Sequence, residues 1–365
     1  MLNRLYIDNF RCFVNFEYRP ERKQLLLGAN GSGKSSLLEV LRLLKEFIKG
    51  RDIPFTQLSR TRWQDRPLQV FEIEAQIDKN SYAYRVEIRY SSASNAPSVN
   101  LEKLSVNGAP VFELINGEIR SYLEQNAQTN FLRGDATESS LQLASFGNPH
   151  VRSFIQWMDS VHCFKIDAYE GKMDEVADTE DQYPDFELEN LAGWYRHLLE
   201  VDMDGNDSFR ASLREVLSGF LTLRFSTEED GVKKLRVDFS SPSQKRIPIS
   251  IRELSDGQRC LIAFYMILHF LIAKGHTVFL DEPDNFVSLR EIQPWLLAAE
   301  QAVEDHNGQL ILISHHPEIL NYWAREFGLL FFREENGHVR TKPYSKVADT
   351  GLEPAETIAR GWENG

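Results

Sequence analysis

One segment near the N-terminus has the residue types and spacing of a phosphate-binding loop. Gly28–Ser35 reads GANGSGKS and fits the pattern G-x-x-x-x-G-K-[S/T] at every fixed position. Its glycines let backbone N–H groups converge on phosphate oxygens, and the helix that follows adds partial positive charge. We expect Lys34 to reach the β- and γ-phosphates and the Ser35 hydroxyl to bind Mg²⁺. The predicted nucleotide contacts are Gly28, Asn30, Gly31, Ser32, Gly33, Lys34, Ser35 and Ser36.

A second segment, Thr277–Pro283, brings two adjacent carboxylates to the end of an apolar strand. Asp281 suits a direct or water-mediated contact with Mg²⁺, and Glu282 suits polarising the water that attacks a phosphate. The start of a solvated loop explains this pair equally well when the segment is considered alone. The phosphate loop earlier in the chain favours the functional interpretation.

Two further segments carry groups that could act on a phosphate. In Leu254–Arg259, Ser255, Gly257 and Gln258 open a helix and form a second phosphate-binding end, although an ordinary helix cap explains the segment alone better. In Ile311–Pro317, His315 follows a buried strand and could approach a γ-phosphate and the attacking water. A surface pair of histidines in a loop is an equally good local explanation for that segment.

The apolar pattern predicts the elements that position these groups. Gln24–Leu27 is typical of a buried strand before the loop, and Ser35–Ile48 has the apolar spacing of a helix after it. Alternating segments and an Asn107-Gly108 turn predict antiparallel strands. His276–Leu280 and Gln309–Ile313, with a helix between them, predict a parallel crossover unit. The other predicted segments are the strands Val70–Ile77, Tyr82–Tyr90, Leu223–Thr227 and Lys234–Phe239 and the helices Pro149–Met158, Leu191–Val201, Asp256–Ile272 and Ile292–Val303.

Composition limits the classes of function. The 41 basic and 54 acidic side chains give a net charge of −13, which excludes a uniformly basic nucleic-acid binder but leaves room for a local basic patch. The three cysteines lack metal-site or disulfide spacing, which favours a reducing cytosol. The longest apolar stretch, Cys260–Ala273, is shorter than the ~20 residues that span a bilayer. We therefore expect a cytoplasmic protein with no membrane partner.

The order of the four segments resembles that of ABC-type ATPase heads, in the branch with SMC proteins, RecF and the OLD-type ATPases. The opening Ile7–Phe13 is similar to the start of that branch, and the resemblance covers roughly Leu2–Gly50 and Ile251–Arg333. It implies an α/β fold with an antiparallel β lobe, a parallel nucleotide-binding core and a mostly helical insertion. The expected segments are 1–90 and 224–345 for the two parts of the head, 91–223 for an insertion of hairpin and helical elements, and 346–365 for a tail.

The resemblance also implies a mechanism. Two chains would enclose ATP and Mg²⁺, with Ser255, Gly257 and Gln258 contacting the γ-phosphate on the partner's loop. Glu282 and His315 would be the catalytic pair, His315 as the switch histidine, and Ser35 and Asp281 would hold the metal. A homodimer or a higher homo-oligomer with ATPase activity follows from this arrangement.

Two features depart from the family pattern. The glutamine of the Q-loop cannot be placed among Gln69, Gln142 and Gln182. The segment after Pro283 lacks the acidic D-loop ending, and Ser288 is the candidate for that position.

Two biological roles stay open. The first is an ATP-driven action on DNA, in repair or phage defence, and the second is an ATP-gated regulator that holds a separate nuclease or toxin. Candidate DNA contacts are Arg51, Arg60, Arg62 and Arg66, for which a solvated loop is an equally good explanation.

Overall fold

The computed structural model describes residues 1–51, 60–91, 97–115, 117–122, 128–132, 137–166, 172–228, 231–243, 245–346 and 352–360. The chain forms two compact units, Met1–Val161 together with Asn321–Gly365, and His162–Leu320. We call them unit 1 and unit 2. Their borders differ from those of the four segments expected from the sequence.

The strands of unit 1 are β1 (Leu2–Asp8), β2 (Phe16–Tyr18), β3 (Lys23–Leu27), β4 (Leu68–Ile77), β5 (Asn80–Tyr90), β6 (Pro97–Val106), β7 (Ala109–Ile115), β8 (Glu118–Tyr122), β9 (Gln128–Leu132), β16 (Gly328–Arg333) and β17 (Val339–Pro343). Its helices are α1 (Lys34–Ile48), α2 (Leu141–Ser145), α3 (Pro149–Asp159) and α9 (Pro354–Ala359).

The strands of unit 2 are β10 (Val161–Lys165), β11 (Phe220–Thr227), β12 (Lys233–Ser240), β13 (Arg246–Ser250), β14 (Thr277–Asp281) and β15 (Gln309–Ile313). Its helices are α4 (Leu191–Val201), α5 (Met203–Val216), α6 (Asp256–Phe270) and α7 (Leu289–His306). The border at Leu320 falls within α8 (Pro317–Phe327), and the border at Val161 falls at the first residue of β10.

An eight-stranded sheet forms the antiparallel lobe of unit 1, in the order β2-β1-β4-β5-β6-β7-β8-β9. Asn107 and Gly108 make the β6–β7 turn with φ of 50° and 83°, as that dipeptide predicts. The middle of the chain is therefore mixed rather than mostly helical. Its first part extends the lobe, because each new alternating strand finds an open edge on the preceding one.

The phosphate loop of unit 1 sits between a strand and a helix. β3 pairs in parallel with β16, which pairs antiparallel with β17. Leu37, Leu41 and Leu44 of α1 are buried, as helical spacing requires. The predicted strand–loop–helix context is confirmed.

The core of unit 2 has the order β10-β14-β15, and β14 and β15 are parallel and buried along their whole length. α6 is apolar on nearly all sides. By length and composition, α6 and the turn after it could cross a membrane, but 72% of that stretch is buried within the protein. α6 is thus a core helix.

A smaller antiparallel sheet, β11-β12-β13, lies in the same unit as α4 and α5. α5 has no strong sequence signal, because Gly205 and Asn206 are poor helix formers. The side chain of Asp202 accepts from Gly205 N, and Phe209 and Leu213 are fully buried. Packing and capping therefore stabilise a helix that its composition does not predict.

The N-cap of α3 gives a test of the fold. Asn148 Oδ1 accepts from His150 N and Val151 N, at 3.0 and 3.3 Å, while Nδ2 donates to Val111 O and Tyr122 O, each at 3.1 Å. Asn148→Ala removes the cap and leaves buried carbonyls unpaired. We expect the free energy of unfolding to fall by about 2–4 kcal/mol, measured by urea denaturation.

The control is Gln301→Ala on an exposed face of α7, which should change that free energy by less than about 0.5 kcal/mol. Equal stabilities for the two variants would contradict the capping role of Asn148.

Candidate active site

Glycine is required at both ends of the phosphate loop. Gly28 has φ of 133°, and a Cβ built there would lie 2.2 Å from Phe331 O on β16. Gly33 has φ of 109°, and its Cβ would lie 3.1 Å from Cys12 Sγ. Any larger residue would have to move the backbone at the first position, because the obstacle is a carbonyl in the paired strand.

Lys34 is buried within the curve of the loop. Its Nζ donates to Gly28 O at 2.7 Å and to Ala29 O at 3.2 Å, which compensates for placing an ammonium group inside the protein. The buried Ser32 Oγ has no hydrogen-bond partner among the described residues. The loop thus combines the ammonium group of Lys34 with the buried hydroxyl of Ser32, which can take a further hydrogen-bond partner. Both groups can donate hydrogen bonds to phosphate oxygens.

Two other residues, Arg333 and Cys12, lie at the loop although no motif in the sequence marks them. Arg333, at the end of β16, donates from Nε and Nη2 to Gly31 O at 2.9 and 2.7 Å. Burial raises the pKa of the Cys12 thiol, against the opposite effect of nearby Arg333. Only the strand pairing could have suggested Arg333, since parallel strands end at the same edge of a sheet.

An open cavity of about 650 Å³ is lined by residues Arg60, Thr61, Arg62, Trp63, Gln64 and Asp65. Thr61 Oγ1 donates to Phe13 O at 3.4 Å, and the ring of Phe13 would lie 3.2 Å from a Cβ on Gly33. One wall of the cavity is therefore joined through Phe13 to the phosphate loop.

The four arginines proposed to contact DNA do not form one free basic surface. Arg51 pairs with Glu46 and Arg66 pairs with Asp8, each at 2.8 Å, and the Arg60 guanidinium lies 4.9 Å from the centre of the Tyr90 ring. Arg62 is exposed, and residues 52–59 lie outside the described residues. The DNA-contact assignment stays a prediction, and these pairings reduce the charge available for it.

The carboxylates of unit 2 follow β14. Asp281 is buried and pairs in register with Ile313 of β15. Glu282 is in the left-handed region, with φ of 50° and ψ of 55°, and its N–H donates to Ile313 O at 2.8 Å. Its carboxylate accepts from Asn285 Nδ2 at 3.1 Å. The unusual backbone conformation fixes the direction in which the chain leaves the strand.

The histidine segment starts at the end of the neighbouring strand. Ser314 is fully buried, and its Oγ accepts from His316 N at 3.0 Å, whereas His315 is exposed. Because β14 and β15 are parallel and in register, the structure brings Asp281, Glu282 and His315 to one edge of the sheet.

Ser255 is the N-cap of α6. Gln258 N donates to Ser255 Oγ at 3.3 Å, and Ser255 N donates to Gln258 Oε1 at 3.1 Å. Both residues lie at the surface, and a Cβ on Gly257 would lie 3.0 Å from Phe286 O. The capping interpretation is confirmed, and the backbone amides of this helix start remain those of an anion-binding end.

A buried carboxylate stabilises the turn that precedes Ser255. Glu175 accepts from Arg236 at 3.0 Å and from the Ser250 hydroxyl, and Ser250 caps the short turn Ile251–Glu253. Arg252 in that turn pairs with Asp174 at 2.6 Å. Two carboxylates of the acidic stretch that begins at Asp174 thus stabilise this turn.

The Q-loop candidates have local roles in the structure. Gln69 is buried, donates to Asn9 O at 2.8 Å and accepts from Tyr90 Oη at 2.7 Å. Gln142 donates to Ile48 O at 3.1 Å. These contacts do not assign the Q-loop glutamine. Ser288, the D-loop candidate, forms a capping box with Glu291 at the start of α7.

The predicted metal ligands lie in different units, Ser35 exposed in the first turn of α1 and Asp281 at the end of β14. Among the described residues, no three His, Cys, Asp or Glu side chains cluster as a metal site. A hydroxyl and one carboxylate suit Mg²⁺, which keeps several waters and binds substrate phosphates. The assignment of both ligands stays a prediction.

Comparisons with known proteins agree with the expected class. Residues 1–144 match a family model described as "AAA ATPase domain", and residues 193–321 match one described as "AAA domain, putative AbiEii toxin, Type IV TA system". A comparison with curated proteins finds no match.

Among solved structures, the chain is similar to an Smc head bound to the C-winged helix domain of ScpA, with 13% identity, a TM-score of 0.52 and coverage of 93% of this chain and 96% of that one. The SMC head domain from Thermotoga maritima matches with 13% identity, a TM-score of 0.47 and coverage of 94% and 98%. The Pyrococcus furiosus Smc head domain, which has an extended coiled coil and is bound to the C-terminal domain of ScpA, matches with 10% identity, a TM-score of 0.49 and coverage of 100% and 99%.

Two segments of the chain therefore match AAA-family ATPase domains, and the chain has the fold of an SMC head. The resemblance to ABC-type ATPases of the SMC, RecF and OLD-like branch is confirmed, and so is the α/β fold with an antiparallel lobe and a parallel core. ATPase activity is supported at the level of the family.

The support under Ser255 gives a second test. Glu175→Gln removes the charge that pairs with Arg236 inside the protein, so we expect the free energy of unfolding to fall by about 2–4 kcal/mol. Amide hydrogen exchange in residues 251–258 should become faster, because Ser250 loses its carboxylate partner.

The matched control is Glu228→Gln, whose carboxylate pairs with the same arginine at 3.0 Å but is 39% exposed. It should cost less than about 1 kcal/mol. Unchanged exchange in Glu175→Gln would show that the turn does not depend on this carboxylate.

Proposed function

We propose that this chain hydrolyses ATP with Mg²⁺. The observation that carries the proposal is the phosphate loop between β3 and α1, with three glycines of positive φ and the buried Lys34 at the start of the helix. The cavity beside it offers Trp63 and polar side chains to the nucleoside part. Adenosine fits such a cavity through stacking and hydrogen bonding.

In this proposal, Glu282 accepts a proton from the attacking water, and Asn285 keeps its carboxylate oriented. Ser35 and Asp281 would hold Mg²⁺, which would neutralise charge on the phosphates. His315 is exposed next to this edge and is assigned to the γ-phosphate and the water. Glu282 is thus the general base and His315 the residue that senses the terminal phosphate.

We further propose that two chains enclose the nucleotide. Ser255, exposed, and the half-buried Gly257 and Gln258 form a helix start in unit 2, which suits the phosphates on a partner's loop. The similar Smc head is bound to the C-winged helix domain of ScpA, which is compatible with a fold that works in an assembly.

For the biological role, we favour an ATP-gated regulator or effector in phage defence over a motor that grips DNA. The match to a model described as an AbiEii toxin of a type IV TA system supports defence. The internal pairing of Arg51, Arg60 and Arg66 weakens the case for DNA contact. Co-purification at native levels would distinguish the two roles, because the regulator should bring down a nuclease or toxin partner and the alternative, an action on DNA in repair, should bring down DNA.

The catalytic assignment is tested by Glu282→Gln, which keeps the side-chain shape but removes the base. We expect ATP hydrolysis to slow by about 10²–10⁴-fold, while ATP affinity measured by calorimetry stays close to that of the unmodified protein. Glu318→Gln, at an exposed carboxylate in α8, should hydrolyse ATP normally. Full activity in Glu282→Gln would assign the base to another residue.

The shared site is tested by light scattering in the Glu282→Gln background. Saturating ATP and Mg²⁺ should produce a dimer, and adding Ser255→Arg should abolish it sterically while ATP still binds the loop. Ser243→Arg, the same change at an exposed loop position of unit 2, should leave the dimer intact. A monomer in ATP, or a dimer indifferent to Ser255→Arg, would rule out the two-chain arrangement.

A further inference from the structure

Arg333 places a guanidinium group at the rim of the phosphate loop, next to Gly31. Its Nε and Nη2 both donate to Gly31 O, at 2.9 and 2.7 Å, across a separation of 302 residues. An arginine side chain has five N–H donors, so three remain after these two bonds. The side chain is exposed, and those donors can reach a ligand.

The charge of Arg333 is not used in an ion pair. Within the part of the chain that the structure describes, no carboxylate pairs with it, whereas Arg340 in the same β16–β17 hairpin pairs with Glu334 at 3.5 Å and donates to Val14 O. A backbone carbonyl carries only a partial charge, so most of the arginine's positive charge stays available at the loop.

The space around Gly31 is open. Its φ is 78°, and a Cβ built there would meet no atom within 4 Å. Lys34 supplies one positive charge from inside the loop, and Arg333 supplies a second from its rim. The backbone N–H groups of such a loop hold the inner phosphates, so a charge at the rim is left for the terminal one.

We propose that Arg333 is a nucleotide-binding residue that contacts the terminal phosphate of ATP. The proposal rests on the proposed function. Its N–H groups donate to γ-phosphate oxygens while Gly31 O keeps the guanidinium in place. A planar fork matches a phosphate group better than a point charge does, and the contact makes the loop prefer a triphosphate to a diphosphate.

The test is calorimetric titration of the full chain with ATP and with ADP, both in Mg²⁺. Arg333→Ala should weaken ATP binding by about 10- to 100-fold and leave ADP binding nearly unchanged. Arg333→Lys keeps the charge but loses the fork, so its ATP affinity should lie between those of Arg333→Ala and the unmodified protein. Arg340→Ala, from the same hairpin, should bind both nucleotides normally.

The alternative is that Arg333 only supports the loop through Gly31 O. Equal losses for ATP and ADP, or no loss of ATP affinity, would overturn the proposal. Thermal unfolding checks that each variant is folded. If Arg333→Ala is not folded, Arg333→Lys still allows the test. Lys34→Ala distinguishes a failure of the Arg333 proposal from a failure of the proposed function. Undiminished binding of both nucleotides in that variant would contradict nucleotide binding by the phosphate loop itself.

Discussion

The close approach of Gly28 to the carbonyl oxygen of Phe331 is the constraint on which the phosphate site depends. The 2.2 Å between that oxygen and a Cβ at residue 28 leaves room for glycine alone, and φ of 133° points to the same residue. This contact fixes the loop against the end of β16. Because β3 and β16 are parallel, their carboxyl ends share one edge, so Arg333 meets Gly31 and Lys34 begins α1 directly above the strands.

In unit 2, too, parallel strands bring chemical groups to one edge of a sheet. β14 and β15 end together, so the carboxylates and the histidine segment lie side by side although more than thirty residues separate them. A backbone hydrogen bond from Glu282 to Ile313 O extends the pairing by one residue before the chain turns. The helix start at Ser255 instead relies on side chains, because the buried Glu175 orders the turn before it. Backbone pairing thus positions the residues proposed for hydrolysis, and the ion pair of Glu175 with Arg236 supports the turn before the proposed phosphate contact at Ser255.

Local sequence signals predicted many of the helices, strands and site residues. The remaining ones depend on contacts between distant parts of the chain, which the sequence does not indicate. β15 and the cap of α3 follow from a short apolar run and an Asn-Pro pair, each of which acts within a few residues. α5 was missed because its composition disfavours a helix and only burial compensates. Arg333 and Glu175 gain their roles from partners 302 and 75 residues away, a relation that spacing along the chain does not encode. The phosphate loop was predictable because one continuous segment contains all its fixed positions.

Ser255 shows why residue type alone could not decide between a helix cap and a phosphate contact. In the structure its hydroxyl accepts from Gln258 N, which is the capping role. A cap contributes about 1 kcal/mol, whereas hydrogen bonds to a charged phosphate are roughly twice as strong as neutral ones. In the proposed two-chain arrangement, a phosphate at this end would accept hydrogen bonds from the N–H of Gln258 and from the hydroxyl of Ser255, in place of the cap. The observed cap and the proposed phosphate contact use the same hydroxyl and the same N–H, so the two interpretations do not exclude each other.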